Sequence, residues 1–338
     1  MLLKELSEAF GVSGAEDEVR NILKRELKET CSIETDSLGN LICKNLDKKN
    51  KLNLMLCAHM DEVGLMIRSI DKNGWLKFDT VGGIDDRILV SKQVVIGPQK
   101  IKGVIGAKAI HLQEPKERDI PLKSKNLYIE IGAKDREDAE KKVRIGDFAT
   151  FDTEFEVLGN NIVKGKALDD RVGCYIIAET LKKKLGYSIT GAFTVQEEIG
   201  VRGSAVVSYR INPDVAIVVE GTFASDVPET KEENYSTTIG MGPAITIMDM
   251  TYVASKELVT RVLKLADSNG IPCQLRRTTF GGTDGGRIHT SREGIPTIIV
   301  SVPCRYIHSP VSFCSLLDIK HTMELLEFII KDLEERGL

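Results

Sequence analysis

Five consecutive apolar residues, from Leu54 to Ala58, leave few folds open to this chain. A strand without a polar face must be covered on both sides, as a central strand is in a sheet with helices on its two faces. Similar runs recur after position 165, and segments with helical periodicity separate them. This alternation predicts an α/β fold in which a mostly parallel sheet is covered by helices. The predicted strands are 52–58, 191–196, 215–219, 272–276 and 297–301, and the predicted helices are 168–184, 203–209, 255–269 and 316–335.

The segment from Arg68 to Lys164 has a different pattern. Its apolar runs are short, and glycine, proline and charged turns separate them. Short strands at such spacing are typical of a small barrel or sandwich. We therefore predict a discontinuous α/β domain, formed by residues 1–67 and 165–338, with an inserted β-rich domain at residues 68–164.

Two amphipathic helices are predicted at the start of the chain, Leu2–Phe10 and Glu16–Leu27. Ser13 and Glu16 have the S-x-x-E spacing of a capping box, which predicts that their side chains bind the backbone where the second helix begins. Charged residues interrupt both segments at helical spacing, which is not the pattern of a secretion signal.

The charge balance excludes some kinds of partner. The chain has 338 residues, with 46 lysines and arginines against 50 aspartates and glutamates and a formal net charge of −4. No block of like charges suggests a nucleic-acid-binding arm, and no apolar run approaches the length of a membrane span. Seven cysteines without C-x-x-C spacing indicate reduced thiols in the core. We therefore expect a cytoplasmic protein that binds neither nucleic acid nor membrane.

Acidic and imidazole side chains follow the predicted strands at their carboxyl ends, where ligands gather in open α/β sheets. Oxygen and nitrogen donors of this kind, with no cysteine among them, suit Zn²⁺, Co²⁺ or Mn²⁺ at a site that stays open to substrate. The candidates are His59, Asp61, Asp169, Glu197, Glu198, Glu220 and His308.

The chemistry of a hydrolytic site with two metal ions suggests different roles for these residues. Such ions lie about 3.5–4 Å apart and share a ligand, for which Asp169 is the candidate. A ligating imidazole needs its second nitrogen held by another group, and the His-x-Asp spacing gives Asp61 that role beside His59. Glu197 and Glu198 project in different directions at a strand end. One of them can therefore bind a metal ion while the other accepts a proton from water.

Each candidate also has a structural explanation when it is considered alone. His59 could be a core histidine that is hydrogen-bonded to Asp61. Asp169 could cap a helix, Glu220 could end a strand, and His308 could lie in an ordinary turn.

The joint pattern is more specific, because six motifs in order resemble the family of co-catalytic metallo-aminopeptidases that includes the glutamyl, deblocking and tetrahedral aminopeptidases. They are AHMDEVG (58–64), KALDDRVG (166–173), VQEEIGVRG (195–203), VVEGT (218–222), FGGTDGGRIH (280–289) and VPCRYIHSP (302–310). The resemblance covers essentially the whole chain, including the inserted segment. It implies a zinc-exopeptidase-like fold and an enzyme that removes N-terminal residues from peptides with a free N-terminus.

The resemblance also implies a role for each candidate residue. Glu197 matches the general base, and Asp61 matches the residue that supports His59. Two divalent ions per subunit are implied, with zinc or cobalt favoured. One implied metal site consists of His59, Asp169 and Glu220. The other consists of Asp169, Glu198 and His308, so that Asp169 bridges the ions.

Two positions depart from the family pattern. Glu220 stands where many members have aspartate, and its longer side chain could alter metal preference. Glycine replaces the more usual alanine after the aspartate of GGTDGG. The resemblance further implies that the inserted domain mediates dimerisation and that dimers assemble into a dodecamer.

Three alternatives to an aminopeptidase remain open. Relatives of this kind have been described as cellulases, although glycoside hydrolysis needs carboxyls about 5–9.5 Å apart across a sugar, which adjacent glutamates fit poorly. Besides this glycoside hydrolase, the second alternative is a carboxypeptidase or deacylase of the same superfamily. The third is a non-catalytic assembly protein. The preferred substrate side chain is also open, and residues 223–233 and 276–287 are expected to contribute to that choice.

Overall fold

The structure is a computed structural model and describes residues 1–45 and 51–338. Its helices are α1 (Leu2–Glu8), α2 (Asp17–Leu27), α3 (Pro115–Arg118), α4 (Arg136–Glu140), α5 (Leu168–Lys182), α6 (Arg202–Ile211), α7 (Lys256–Ser268), α8 (Asp284–Ile288) and α9 (Leu316–Arg336). Its strands are β1 (Cys31–Thr35), β2 (Leu41–Asn45), β3 (Leu54–His59), β4 (Gly64–Ile70), β5 (Leu76–Val81), β6 (Gln93–Ile96), β7 (Ile101–Gly106), β8 (Tyr128–Glu130), β9 (Phe148–Phe151), β10 (Glu156–Leu158), β11 (Ile162–Gly165), β12 (Ile189–Thr194), β13 (Val215–Phe223), β14 (Ala244–Thr246), β15 (Gln274–Arg276), β16 (Thr297–Arg305) and β17 (Ser312–Ser315).

In the described part of the chain, the larger sheet has 11 strands. Its order is β1-β2-β12-β3-β13-β16-β17-β11-β10, with β14 beside β16 and β15 beside β14. The central strands β12, β3, β13 and β16 are parallel, which confirms the predicted α/β core. The outer pairs β1–β2, β16–β17 and β10–β11 are antiparallel, because each pair is joined by a connection too short for a parallel crossover. The sheet as a whole is therefore mixed.

The apolar run that predicted a covered strand is buried on both faces of β3. Leu54 and Leu56 pack in a core that includes residues of α1, α2, α5, α7 and α9. Met55 and Cys57, on the other face, pack against residues of α6 and α8. Successive side chains of a strand point to opposite faces, so a strand between two helical layers must be apolar throughout.

The segment between β3 and α5 contains a second, smaller β structure. Strands β4-β5-β8-β7-β6-β9 close into a barrel, which confirms the barrel rather than the sandwich of the two predicted forms. Its interior is apolar and includes Phe78 and Ile129. The barrel begins with Gly64, so the predicted domain boundary at residue 68 falls inside β4. Strand β10 precedes the predicted boundary at 164 and β11 spans it, yet both strands belong to the larger sheet. The division into domains and a dimerising role for the barrel stay predictions.

Among the helices of residues 1–45 and 51–338, none combines the length and the apolar composition of a membrane span. The seven cysteines are free thiols, and only Cys273 is not fully buried.

Candidate active site

The candidate residues meet where the parallel strands end. Strands β3 and β13, the turn after β12, the start of α5 and the loop between β16 and β17 all contribute to one cavity of about 460 Å³. Asp61 lies outside its wall and is inaccessible to solvent. The candidate residues in the cavity wall are His59, Asp169, Glu197, Glu198, Glu220 and His308.

Asp169 stands between two imidazoles. Its Oδ1 lies 3.4 Å from Nε2 of His59, and its Oδ2 lies 3.7 Å from Nε2 of His308. The same His308 nitrogen lies 3.3 Å from Oε2 of Glu198. One donor atom each from His59, Asp169 and Glu198 lies within 4.8 Å of the others, a spacing that could hold a metal ion. The backbone at Asp169 is not helical, with φ −87° and ψ 106°, so this residue precedes the regular part of α5.

Glu220 reaches the cavity from β13 and lies outside that group of three donors. Its Oε1 accepts a hydrogen bond of 3.3 Å from Oγ of Ser301. The next residue, Gly221, allows a close approach to Asp169, because a Cβ atom there would lie 3.0 Å from the Asp169 Cα. Burial raises the pKa of Glu220 well above its usual range, and the charge of Asp169 raises it further.

Asp61 holds both the histidine and the two glutamates. Nδ1 of His59 lies 3.2 Å from the Asp61 backbone oxygen and 3.5 Å from its Oδ1. The Asp61 carboxylate also accepts hydrogen bonds from the backbone N–H groups of Glu197, at 3.0 Å, and Glu198, at 3.1 Å. Burial alone would raise the pKa of Asp61, but His59 and the hydroxyl of Ser13 stabilise the charged form, and the net pKa is lowered.

The three glutamates in the cavity wall, Glu197, Glu198 and Glu220, have pKa values above their usual range. Burial raises the pKa of Glu198 to about 7, although the nearby His308 opposes the shift. Burial also raises the pKa of Glu197 well above its usual range, and Glu198 and Asp284 add to this effect. Burial would lower the pKa of His59, but hydrogen bonds with Asp169 and Asp61 outweigh it and raise that pKa. The electrostatics of the cavity therefore favour the binding of a positive charge.

The donor set fits divalent metal ions. Within the described residues, no lysine or arginine forms an ion pair with the carboxylates of Asp169, Glu197, Glu198 or Glu220. Buried charges without a partner are costly, and metal coordination is a usual way to compensate them. Carboxylate oxygens and imidazole nitrogens are ligands of catalytic zinc and of related transition metals.

A buried charged cluster behind the site was not foreseen from the sequence. Nζ of Lys166 lies 2.7 and 2.8 Å from the two carboxylate oxygens of Glu62, and both side chains are almost inaccessible to solvent. Arg171 adds a contact of 3.3 Å to Glu62, and the hydroxyl of Thr150 in the barrel donates to it at 2.8 Å. Lys166 and Arg171 flank Asp169 in sequence, so the cluster ties the start of α5 to the barrel. The motif KALDDR contains both residues, but its spacing does not reveal that they are buried.

The predicted capping box is wrong. Helix α2 begins at Asp17, and its N-cap residue, Glu16, makes no capping hydrogen bond with its side chain. The hydroxyl of Ser13 instead donates to Oδ2 of Asp61 at 2.6 Å. Oε1 of Glu16 accepts from the backbone N–H groups of Gly14, at 2.7 Å, and Gln196, at 3.2 Å. The two side chains that match the motif thus contact Asp61 and Gln196, beside the candidate active site.

The outer wall of the cavity is mainly apolar and contains one arginine. Phe223 and Phe280, from the two segments expected to set substrate preference, lie in this wall together with Met250. Arg276 lies there as well, and its Nε and Nη1 atoms have no hydrogen-bond partner among the described residues. Asp249 is the nearest carboxylate, 4.0 Å from Nη1.

The chain matches the protein family described as M42 glutamyl aminopeptidase over residues 39–325. A predicted aminopeptidase of Acetivibrio thermocellus is 40% identical over 331 residues, which are 96% of each chain.

Solved structures resemble the whole chain. The TET aminopeptidase of Thaumarchaeota archaeon SCGC AB-539-E09 is 34% identical, with a TM-score of 0.96 over 99% of this chain and 96% of that one. The TET1 peptidase of Pyrococcus horikoshii, described as assembling into a tetrahedron or a large octahedral shell, is 34% identical, with a TM-score of 0.86 over 97% and 98%. A Thermotoga maritima structure described as an endoglucanase is 37% identical, with a TM-score of 0.81 over 97% and 96%.

Proposed function

Because this chain belongs to the M42 glutamyl aminopeptidase family, we propose that it is an aminopeptidase with two metal ions per subunit and with Glu197 as its general base. Family membership makes the chain a peptidase. The proposal concerns the number of ions, the roles of the residues and the substrate, a peptide with a free N-terminus.

His59, Asp169 and Glu220 would hold one ion, and Asp169, Glu198 and His308 would hold the other. The observation that carries this assignment is the position of Asp169, whose two oxygens face two different imidazoles at 3.4 and 3.7 Å. A carboxylate in that position suits a bridging ligand. When bound, the ions would acidify a water molecule and polarise the scissile carbonyl. The nitrogen and oxygen donors support zinc or cobalt.

Glu197 is suited to move the proton. Its backbone N–H is fixed by Asp61, whereas no described residue hydrogen-bonds its carboxylate, which faces the cavity. A carboxylate with a raised pKa can accept a proton from the attacking water and return it to the leaving amine. Glu198 contacts His308 and would bind a metal ion, so the two adjacent glutamates have different roles.

Hydrolysis of aminoacyl p-nitroanilides by the purified protein tests this proposal. We expect exhaustive chelation to abolish activity and Zn²⁺, Co²⁺ or Mn²⁺, each supplied in turn, to restore it. A matched substrate with an acetylated amine should not be cleaved, because an aminopeptidase requires the free N-terminus. Activity that survives chelation, or equal cleavage of the acetylated substrate, would contradict the proposal.

Glycoside hydrolysis is a second candidate, because a structure 37% identical to this chain is described as an endoglucanase. It needs two carboxyls free to flank a sugar, whereas Glu198 contacts His308. Hydrolysis of cellulose by chelated protein would support this candidate. A requirement for a free carboxylate rather than a free amine on the substrate would instead indicate a carboxypeptidase, and cleavage of acylated amines a deacylase.

We propose that residues 68–164 mediate dimerisation and that dimers form a dodecamer in the cytoplasm. The similarity to a peptidase that assembles into closed shells supports this proposal. The solution mass tests it, since a dodecamer has twelve times the 37.3 kDa mass of the subunit. A monomeric mass for metal-loaded protein would contradict it.

A further inference from the structure

We propose that Ser13 and Glu16 are positioning residues of the active site, which fix the backbone of residues 196–198 and thereby orient Glu197 and Glu198. This inference rests on the proposed function, because it assigns a task to residues that act through the general base. Both residues lie in the segment between α1 and α2, far in sequence from the glutamates they would orient.

Three consecutive backbone N–H groups after β12 point to two buried carboxylates. The N–H of Gln196 donates to Oε1 of Glu16 at 3.2 Å. The next two, those of Glu197 and Glu198, donate to Oδ1 and Oδ2 of Asp61. Successive N–H groups in such a turn form a concave site for an anion. Here the protein supplies the anions itself, and the whole turn is held from one side.

The turn needs this support because its first residue has an unfavourable conformation. Gln196 has φ +57°, in the left-handed region that residues other than glycine rarely adopt. Such a conformation is unfavourable and persists only where surrounding contacts enforce it. Glu16 binds the N–H of this same residue, so it stabilises the turn at its strained point.

Ser13 completes the support through Asp61. Its hydroxyl donates to Oδ2 of Asp61, the oxygen that also accepts from Glu198. The segment around Ser13 is itself anchored to the chain after β3: the N–H of Ser13 donates to the Glu62 backbone oxygen at 3.3 Å, and the N–H of Glu62 donates to the Gly11 backbone oxygen at 2.9 Å. The segment that carries Ser13 and Glu16 thus binds both the chain just after β3, at Asp61 and Glu62, and the turn at residues 196–198.

The variants Glu16→Gln and Glu16→Ala separate positioning from folding. Both hydrogen bonds to Glu16 reach the same oxygen, Oε1, which a glutamine retains and an alanine lacks. We expect Glu16→Ala to lower kcat by about 10- to 100-fold, the usual effect of losing a supporting contact behind a catalytic site. KM should change little, and Glu16→Gln should recover most of the lost kcat.

Asp318→Ala is the matched control. Asp318 is also a buried carboxylate that accepts two backbone N–H groups, those of Gly240, at 2.7 Å, and Gly242, at 2.8 Å, but it lies outside the cavity wall. We expect this variant to lower Tm without a comparable fall in kcat. If Glu16→Ala does not fold, Ser13→Ala removes only the hydroxyl on Asp61 and should still lower kcat more than Asp318→Ala does.

The same assay with Glu197→Gln distinguishes failure of this inference from failure of the proposed function. An active Glu197→Gln variant would overturn the role of the base and the inference with it. An inactive Glu197→Gln variant together with near-normal kcat in Glu16→Ala or Ser13→Ala would overturn the inference alone. Equal losses of kcat in Glu16→Gln and Glu16→Ala, or in Glu16→Ala and Asp318→Ala, would also overturn it.

Discussion

The Asp61 carboxylate accepts a hydrogen bond of 3.0 Å from the backbone N–H of Glu197, although the two residues lie 136 positions apart. Asp61 therefore connects the strand that ends in His59 with the turn that carries both glutamates. A residue expected only to support a histidine thus also positions the proposed base.

Asp61→Asn should impair the enzyme more than loss of charge alone would. Both carboxylate oxygens accept hydrogen bonds, from Glu197 on one side and from Glu198 and Ser13 on the other. An asparagine would place an N–H group against one set of donors. We expect kcat to fall by about 10- to 100-fold, as for other supporting residues of metal sites. Steady-state kinetics with metal analysis would check this, and kcat within twofold of wild type would contradict it.

The metal-free protein should become less stable as pH rises, because carboxylates of the site have raised pKa values. The pKa of Glu198 is about 7, against an ordinary value of 4.5, and that of Glu197 is raised as well. The folded state thus holds more protons than the unfolded state between these values, and its stability falls as pH rises through this window.

Thermal melts of metal-free and metal-loaded protein between pH 5 and 8 would measure this effect. We expect the gap between the two Tm curves to widen as pH rises, because metal ligands must lose their protons to bind. Glu198→Gln should reduce the slope of the metal-free curve. A gap that is constant or narrows with pH would contradict the assignment of these carboxylates to a metal site.

Lys166→Met should destabilise the fold by about 3–5 kcal/mol, the usual cost of removing one partner from a buried ion pair. Glu62 would keep Arg171 and Thr150 but lose its closest cation. Denaturant unfolding of Lys166→Met, Glu62→Gln and the double variant would measure the coupling between the pair.

The exposed pair Lys320–Glu324, 3.6 Å apart, supplies the control for that cycle. Lys320→Met should change stability by no more than about 1 kcal/mol. Strictly additive effects of the Glu62 and Lys166 substitutions would show that the buried pair is not coupled.

Arg276 is expected to favour substrates with an acidic N-terminal residue. It is the arginine in the cavity wall, and two of its nitrogens have no hydrogen-bond partner among the described residues. Arg276→Met should lower the ratio of kcat/KM for glutamyl over leucyl anilide by about 10- to 100-fold, since hydrogen bonds to charged groups contribute about 1.5–3 kcal/mol. Arg277, which donates to the Glu232 backbone oxygen at 3.3 Å, gives the control Arg277→Met. An unchanged ratio in Arg276→Met would indicate that Arg276 only compensates the charge of Asp249 and does not contact the substrate.

The parallel strands β3, β13 and β16 were predictable because each contains a nearly continuous apolar run. The strand-end rule then brought His59, Glu197 and Glu220 to one edge. The outer antiparallel pairs are short, and β17, at Ser312–Ser315, has no comparable signal. Local sequence patterns therefore predicted the core of the fold and the proximity of these candidate residues, but not the edges of the sheet.

Long-range contacts explain what the sequence did not reveal. Ser13 and Glu16 have a valid local capping signature, yet Glu16 binds a backbone group 180 residues away. Lys166 and Glu62 are charged residues of a kind rarely found in a core, and their burial depends on their contact with each other and on the contacts of Glu62 with Arg171 and Thr150. Such pairings depend on the finished fold and have no periodicity along the chain.

Turnover and metal content of Glu197→Gln, measured on the same preparation, test whether Glu197 is the general base. We expect the variant to bind two metal ions per subunit, as expected for the wild type, with kcat lower by about 10²–10⁴, since this carboxylate would move a proton without binding an ion. Glu198→Gln, by contrast, should lose metal. Near-normal turnover in Glu197→Gln, or loss of its metal, would contradict the role of Glu197 as the general base.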